Sequence, residues 1–153
     1  MFDAPSFSSL VFDEIADPDY THVTVDILPA HAVADPAAWA RSLFSPDALP
    51  RWLTAPMRAL AVLRRRSVAP FWERFTVRRV VGEEALIRWD ARVVDLRVAV
   101  GVDERLSLVR VITSMRFKGA RSRVLTLPAR VALPFVLRGM VARAKRSLSG
   151  VTA

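Results

Sequence analysis

The sequence predicts an α+β fold: a curved antiparallel sheet, two short helices after the first strand, and a long kinked C-terminal helix. Apolar and polar residues alternate with period two through Phe75–Phe117, and short turns at Gly82–Glu84 and Asp103–Arg105 divide that run. This pattern is typical of an antiparallel meander with one apolar face. Over Arg121–Leu148 the apolar residues recur at the helical period instead. We therefore expect one long helix to lie across one sheet.

The chain before the meander predicts an N-terminal arm and a first strand. Residues 1–19 show no clear period, so we expect an extended or loosely packed arm, followed by a single domain over residues 20–149. Tyr20–Leu28 alternates as a half-buried strand does. The alternation places Val23, Val25 and Ile27 on the inner side and His22 on the outer side.

Two helices are predicted between the first strand and the meander. Asp35 is a preferred N-cap residue, and Pro36 suits the first helical position, so the first helix begins there and runs to about Phe44. The second is expected from about Pro50 to Arg66.

The C-terminal helix is predicted to be amphipathic and bent. Pro128 and Pro134 should bend it. Its side chains separate into an apolar face and a basic stripe. The apolar face comprises Ala129, Ala132, Leu133, Val136, Leu137, Met140 and Ala144, and the basic stripe comprises Arg123, Arg130, Arg138 and Lys145.

Composition excludes several kinds of chemistry. The 153 residues are 52% hydrophobic and include no cysteine, so no disulfide, thiolate nucleophile or cysteine-bound metal is expected. His22 and His31 have no neighbouring ligands at metal spacing, and no phosphate-binding glycine loop or serine elbow is visible. We expect no cofactor and no metal. The first residues lack a secretory pattern, so the expected location is cytoplasmic.

Charge is distributed unevenly along the chain. Residues 1–50 carry eight acids and one base, whereas residues 51–153 carry seven acids and 22 bases. The basic helix could pair with the acidic first third, or it could contact an anionic membrane surface as a peripheral protein. No aromatic residues alternate with its bases, apart from Phe135, so no specific nucleic-acid binding is expected.

The face under the C-terminal helix is the candidate ligand site. A dry core and an apolar pocket give the same alternation, so both interpretations stay open. From the sheet the predicted site residues are Phe75, Val77, Trp89, Val98, Val111, Thr113, Met115 and Phe117, and from the helix they are Leu133, Leu137 and Met140.

Arg79 continues the inward series, and this interrupts the apolar pattern. Either a bulge near Val80 turns it away, which we favour, or it enters the pocket and holds a ligand carboxylate or enolate. It is therefore included among the candidate ligand-binding residues.

The outer face of the predicted sheet is charged. Its charged residues are Asp90, Asp95, Arg97, Arg110 and Arg116. Cross-strand ion pairs are the favoured interpretation of this set, ahead of a catalytic acid with its partner. Leu86, Leu108 and Ile112 share the face, so part of it is expected to be covered, for example in a homodimer.

Several short motifs carry a resemblance that covers about Thr21 to Arg146. They are Pro50-Arg51-Trp52, the stretch Trp89–Val98, Ser114-Met115-Arg116-Phe117, and Pro134-Phe135. With these motifs the chain resembles an uncharacterised bacterial family of the START-like, polyketide-cyclase-like (SRPBCC) superfamily, which implies the helix-grip fold. Two positions depart from that pattern: Val93 or Val94 stands where a histidine is expected, and Lys118-Gly119 replaces a His-Asn pair.

The resemblance implies a small apolar ligand held between sheet and long helix. We expect ligand binding without covalent chemistry. A cyclase or dehydratase using Arg79, Thr113 or Asp95 is the first alternative, and membrane-surface binding through the basic helix is the second. Fold alone does not choose among them.

Overall fold

The computed structural model describes residues 9–45 and 75–150, which form an α+β domain with a five-stranded antiparallel sheet. The predicted second helix, Pro50–Arg66, lies outside the described residues. In chain order the elements are α1 (Leu10–Glu14), β1 (Tyr20–Ile27), α2 (Pro36–Leu43), β2 (Val77–Val81), β3 (Glu84–Asp90), β4 (Val94–Asp103), β5 (Leu108–Phe117), α3 (Ala120–Leu125) and α4 (Leu127–Leu148).

Strands β2 to β5 form the predicted meander, and β1 returns to pair with β5, giving the order β1-β5-β4-β3-β2. A two-residue turn joins β2 to β3, and Gly82 adopts the positive φ of 57° that such turns need. We call the sheet face toward α2 and α4 the front and the opposite face the back. The predicted antiparallel sheet and C-terminal helix are both confirmed.

The orientation predicted for β1 is wrong. Thr24 pairs with Val111 and Val23 with Ile112, so the even-numbered residues face the front and Val23, Val25 and Ile27 lie exposed on the back. On the front, Thr24 Oγ1 contacts His22 Nε2 at 3.2 Å. Polar partners thus occupy this edge of the front face, so burial of apolar side chains does not dictate which way the edge strand faces.

Helix α2 begins as predicted. The Asp35 carboxylate accepts from Ala37 N at 3.0 Å and from Ala38 N at 3.2 Å, which satisfies two free amides of the first turn. Trp39 and Leu43 are fully buried against the front of the sheet. Capping and packing therefore agree on where this helix lies.

The predicted long C-terminal helix is divided into α3 and α4 at Thr126. Pro128 occupies the first turn of α4, where a missing N–H leaves no hydrogen bond unmade. Pro134 lies inside α4 and cannot donate to the carbonyl of Arg130. The Tyr20 hydroxyl makes a long contact of 3.5 Å with that carbonyl and joins β1 to the proline site.

Only the second half of α4 covers the sheet closely. Leu137, Met140 and Ala144 are buried as predicted, and Val141 joins them although it was not in the predicted face. Leu133 and Val136 are half-buried, as is Ala132, whereas Ala129 is exposed, contrary to the prediction. The first turn of α4 lies at the end of the sheet, beside Phe117, so less of it is covered.

Part of the predicted N-terminal arm is a packed helix. Leu10 and Val11 of α1 are buried on the back of the sheet against Leu86, Ala99 and Ile112. The prediction of a loosely packed arm is therefore wrong for Leu10–Glu14. The outer-face residues that suggested a dimer are covered here, in part, by the same chain.

No helix among residues 9–45 and 75–150 has both the length and the hydropathy required to cross a membrane.

Candidate functional site

The strand register arranges the front-face side chains in rows across the sheet. We number the rows from the end near the start of α4. Row one contains Tyr20, Met115, Leu96 and Trp89; row two contains His22, Thr113, Val98, Ile87 and Val77; row three contains Thr24, Val111, Val100, Ala85 and Val80.

The middle of the sheet is closed core. Val98 and Val111 are buried beneath Leu137 and Met140, and all four belong to one continuous apolar cluster. Phe117 is also buried, with the Arg130 guanidinium 5.1 Å from its ring centroid. These five predicted ligand residues pack as interior side chains do.

The other predicted apolar residues are only half-buried and lie at the row-one end. Phe75, Trp89, Met115 and Leu133, together with Val77 in row two, pack on the margin of the core cluster. Phe44, which the sequence did not identify as a site residue, stacks on Phe75 with ring centroids 5.2 Å apart. We call Phe44, Phe75, Trp89, Met115 and Leu133 the apolar patch.

Aromatic stacking links the patch across two elements. The Phe75 ring lies 5.3 Å from the Trp89 ring at 46°, so Phe44, Phe75 and Trp89 form a short ladder from the end of α2 to β3. The only sequence signal for Phe44 was its place at the end of the helix stripe. Its stacking depends on contact between segments 31 residues apart, which local periodicity does not show.

Thr113 supplies a polar group beside this patch. Its side chain is 1% exposed, and its hydroxyl has no hydrogen-bond partner in the part of the chain described. Its neighbours across the strands are His22 and Val98. An unpaired buried hydroxyl costs about 1–3 kcal/mol, so a hydrogen-bonding partner at this position would stabilise the folded protein.

Arg79 does not enter the front face. The pairing of β2 with β3 shifts between Val77 and Arg79, so Arg79 lies opposite Leu86 on the back. The bulge that we favoured is confirmed, and the alternative in which Arg79 holds a ligand under the helix is wrong. With Arg78 and Arg88 it borders an open back-face groove of about 690 Å³.

Arg97 is the centre of a buried ion network on the back face. It is 5% exposed and donates to Asp90 Oδ1 at 2.7 Å, Glu14 Oε2 at 3.3 Å and the Leu96 carbonyl at 2.9 Å. The predicted cross-strand ion pairing is confirmed for Asp90 and Arg97. Because Glu14 ends α1, this network also holds that helix on the sheet.

The network lowers the pKa of Asp90. Burial by itself would raise this pKa, but hydrogen bonds from Arg88 and Arg97, helped by their charges, outweigh burial and lower it to about 2. Asp95 likewise faces the back and pairs with Lys118 at 2.8 Å. Neither carboxylate points toward the apolar patch.

Glu84 holds the other end of α1. Its carboxylate accepts from Ser9 Oγ at 2.7 Å and from Leu10 N at 2.8 Å, and Arg110 approaches it at 3.8 Å. The Arg110 guanidinium lies over Gly101, where a side chain would come within 3.5 Å of it. These groups border a second open groove of about 490 Å³ on the back face.

Two residues of the basic stripe, Arg123 and Lys145, pair with the acidic first third, so the predicted pairing is confirmed for these two. Arg123 Nη2 lies 2.7 Å from Asp19 Oδ1, and Lys145 Nζ lies 2.9 Å from Asp26 Oδ1. The pKa of Asp19 is lowered, chiefly because Phe117 N–H donates to its carboxylate and then because of Arg123. These contacts join β1 and the chain before it to α3 and α4.

Comparison with protein-family models, with curated proteins and with solved structures returns no match for this chain. The fold and the site geometry therefore define it as an α+β domain with a five-stranded antiparallel sheet, a packed front core and a half-buried apolar patch at one end.

Proposed function

We propose that the protein binds a small apolar or amphipathic molecule at the apolar patch, between the front of the sheet and the first half of α4. The observation that carries this proposal is the buried hydroxyl of Thr113, which has no hydrogen-bond partner among the described residues and lies on the same strand face as half-buried Met115 of the patch. Ligand sites are mostly apolar with a few placed polar groups, and this end of the domain has that composition.

The proposed ligand has an apolar body and one hydrogen-bonding head group. The body would lie against the Phe44–Phe75–Trp89 ladder, and the head group would reach the Thr113 hydroxyl, which can donate and accept. The cyclase or dehydratase alternative relied on Arg79, Asp95 or Thr113. Because only Thr113 faces the front, the geometry supports binding better than catalysis.

The same proposal includes the helix-grip fold and membership of the START-like superfamily. The order of strand, helix, meander and C-terminal helix supports it, as do the motifs that carry the resemblance. In that plan the ligand lies beneath the long helix, at the side where the apolar patch is found.

The test has two parts. Native mass spectrometry of the protein from its own host is expected to show a co-purifying small molecule. In parallel, octan-1-ol and octane are tested as competitors of the fluorescent probe 1-anilinonaphthalene-8-sulfonate for binding to the ligand-free protein. The alcohol should compete about 5-fold better than octane because one neutral hydrogen bond is worth about 1 kcal/mol.

Two variants test which side chain hydrogen-bonds to the hydroxyl of octan-1-ol. Thr113→Val should abolish the preference for octan-1-ol, whereas Ser114→Ala should keep it, because Ser114 faces the back on the same strand. A preference that survives Thr113→Val would show that this hydroxyl is not the recognition group. Absence of competition by both compounds would reject the patch as a binding site.

A further inference from the structure

The exposed side of α3 and α4 carries an unusual apolar stripe. Val124, Leu127, Val131 and Phe135 are 72%, 52%, 65% and 72% exposed, and we call these four residues the outer stripe. The solvent side of a surface helix is normally polar. Four large apolar side chains on that side lower solubility unless something covers them.

The four residues share one side of the helical segment. Thr126 between α3 and α4 keeps near-helical dihedral angles of −90° and −4°, so the helical register continues across it approximately. At about 100° per residue, the outer stripe then falls within an arc of roughly 80°. Its length from Val124 to Phe135 is about 17 Å at 1.5 Å per residue. The stripe is therefore one continuous surface opposite the buried residues Met140 and Ala144.

Basic residues stand at both ends of this surface. Arg121 precedes the stripe and Arg138 follows it, both are exposed, and no carboxylate in residues 9–45 or 75–150 pairs with either. No aspartate or glutamate occurs after Glu104. Arg123 beside the stripe is already paired with Asp19. The surface combines an apolar centre with positive charge that no carboxylate of the described residues neutralises.

We propose that the outer stripe docks on the surface of an anionic lipid bilayer. A bilayer surface offers both complements in one plane: the boundary of headgroups and acyl chains for the apolar side chains, and lipid phosphates or carboxylates for Arg121 and Arg138. Charge complementarity is the argument for this occupant. A second copy of the chain would bring the same positive ends together, which opposes self-association through this stripe.

The experiment is co-sedimentation with vesicles of pure phosphatidylcholine and of phosphatidylcholine containing 30% phosphatidylserine. Binding is expected to be at least tenfold stronger to the anionic vesicles and to weaken as salt rises from 0.05 to 0.5 M. Arg121→Gln with Arg138→Gln should remove most of that difference, about a 30-fold loss, because each of the two bases near the surface contributes on the order of 1 kcal/mol.

Apolar variants give the matched comparison. Val131→Ser with Phe135→Ser should weaken binding to anionic vesicles by at least about 20-fold, because two exposed apolar side chains no longer enter the lipid boundary. Val23→Ser with Ile27→Ser removes apolar side chains that are also exposed but lie on the back face of β1, and this variant should bind as the unchanged protein does. All four substituted positions are exposed, so folding should be retained, which thermal melts verify.

Three results would overturn the proposal. The first is equal binding to neutral and anionic vesicles, and the second is unchanged binding after Val131→Ser with Phe135→Ser. The third is no vesicle binding together with self-association that the same double variant abolishes, which would make the stripe a subunit interface. Because the outer stripe faces away from the apolar patch, octan-1-ol competition at the patch should not change in these variants, and the two proposals can fail separately.

Discussion

The hydroxyl of Thr113 leads to a stability prediction whose sign is unusual for a core substitution. Most buried substitutions destabilise a protein by about 0.5–3 kcal/mol. Thr113→Val keeps the shape of the side chain and replaces the hydroxyl, which has no partner among the described residues, with a methyl group. In the ligand-free protein we therefore expect the substitution to raise the free energy of unfolding.

The size of the gain follows from the surroundings of the side chain. An unpaired buried hydroxyl costs about 1–3 kcal/mol, and its neighbour Val98 is itself buried and apolar. After allowing for imperfect packing of the new methyl group, a gain of about 1–2 kcal/mol is expected. For a chain of this length, that corresponds to a rise of roughly 2–8 °C in Tm.

The assay is urea denaturation of protein freed of bound small molecules, with the midpoint compared at constant m value. Ser114→Ala is the matched control: its hydroxyl is buried on the back face and contacts Thr21 Oγ1 at 2.9 Å, so that variant should lose about 1 kcal/mol. If Thr113→Val instead lost 1 kcal/mol or more, the hydroxyl would have a partner in the folded chain. The case for Thr113 as a ligand-recognising group would then fail.

Three further outcomes follow from other contacts. Glu84→Gln should lower the free energy of unfolding by about 1–2 kcal/mol and speed amide hydrogen exchange in α1. The reason is that the negative charge of the group that accepts from Leu10 N is lost. Unchanged exchange in α1 would contradict this expectation. Gly119→Ala should cost about 1–3 kcal/mol in denaturation, since Gly119 has φ of 110°; a neutral effect would show that this backbone relaxes freely. Asp90→Asn should lower the free energy of unfolding by at most about 1 kcal/mol, and this loss should be seen above pH 4. The reason is that the pKa of Asp90 is about 2 in the folded protein and higher in the unfolded chain. The loss should fade as pH falls through 2, and a pH-independent difference would exclude linkage to this carboxylate.

The central strands were predictable because two independent signals agreed there. Alternation and short turns both define Val94–Phe117, and each strand has neighbours on both sides that fix its faces. Edge strand β1 has a neighbour on one side only. Its apolar residues Val23, Val25 and Ile27 are exposed, so an argument that equates apolar with buried assigned it the wrong face.

Helix α1 was not predictable from its own residues. It is five residues long, and isolated helices of that length are unstable. Its amino end is held by Glu84 and its carboxyl end by Arg97, residues more than 70 positions away in the sequence. Contacts at such separation leave no periodic trace, and for the same reason the alternation could not show that Phe44 would join the patch.

The sequence predicted which face of the sheet carries the candidate site. It did not predict where on that face the closed core ends and the open patch begins. Alternation correctly placed Val111 and Met115 on one face, yet the first is fully buried and the second half-buried. The difference depends on where the helices cross the sheet, because Leu137 and Met140 are buried against the core whereas Leu133 is half-buried. A helical wheel does not show that position.

In its first half, helix α4 carries apolar side chains both on the side that faces the sheet and on the side that faces solvent. Leu133 belongs to the apolar patch on the inner side, and Phe135 belongs to the outer stripe, only two residues further along. If both proposals hold, a docked protein presents its ligand patch within one helix diameter, about 10 Å, of the lipid. The ligand would then be a molecule that partitions into membranes. Anionic vesicles loaded with the co-purifying molecule should exchange it with the protein faster than neutral vesicles. Arg121→Gln with Arg138→Gln should remove most of that difference without changing affinity at the patch.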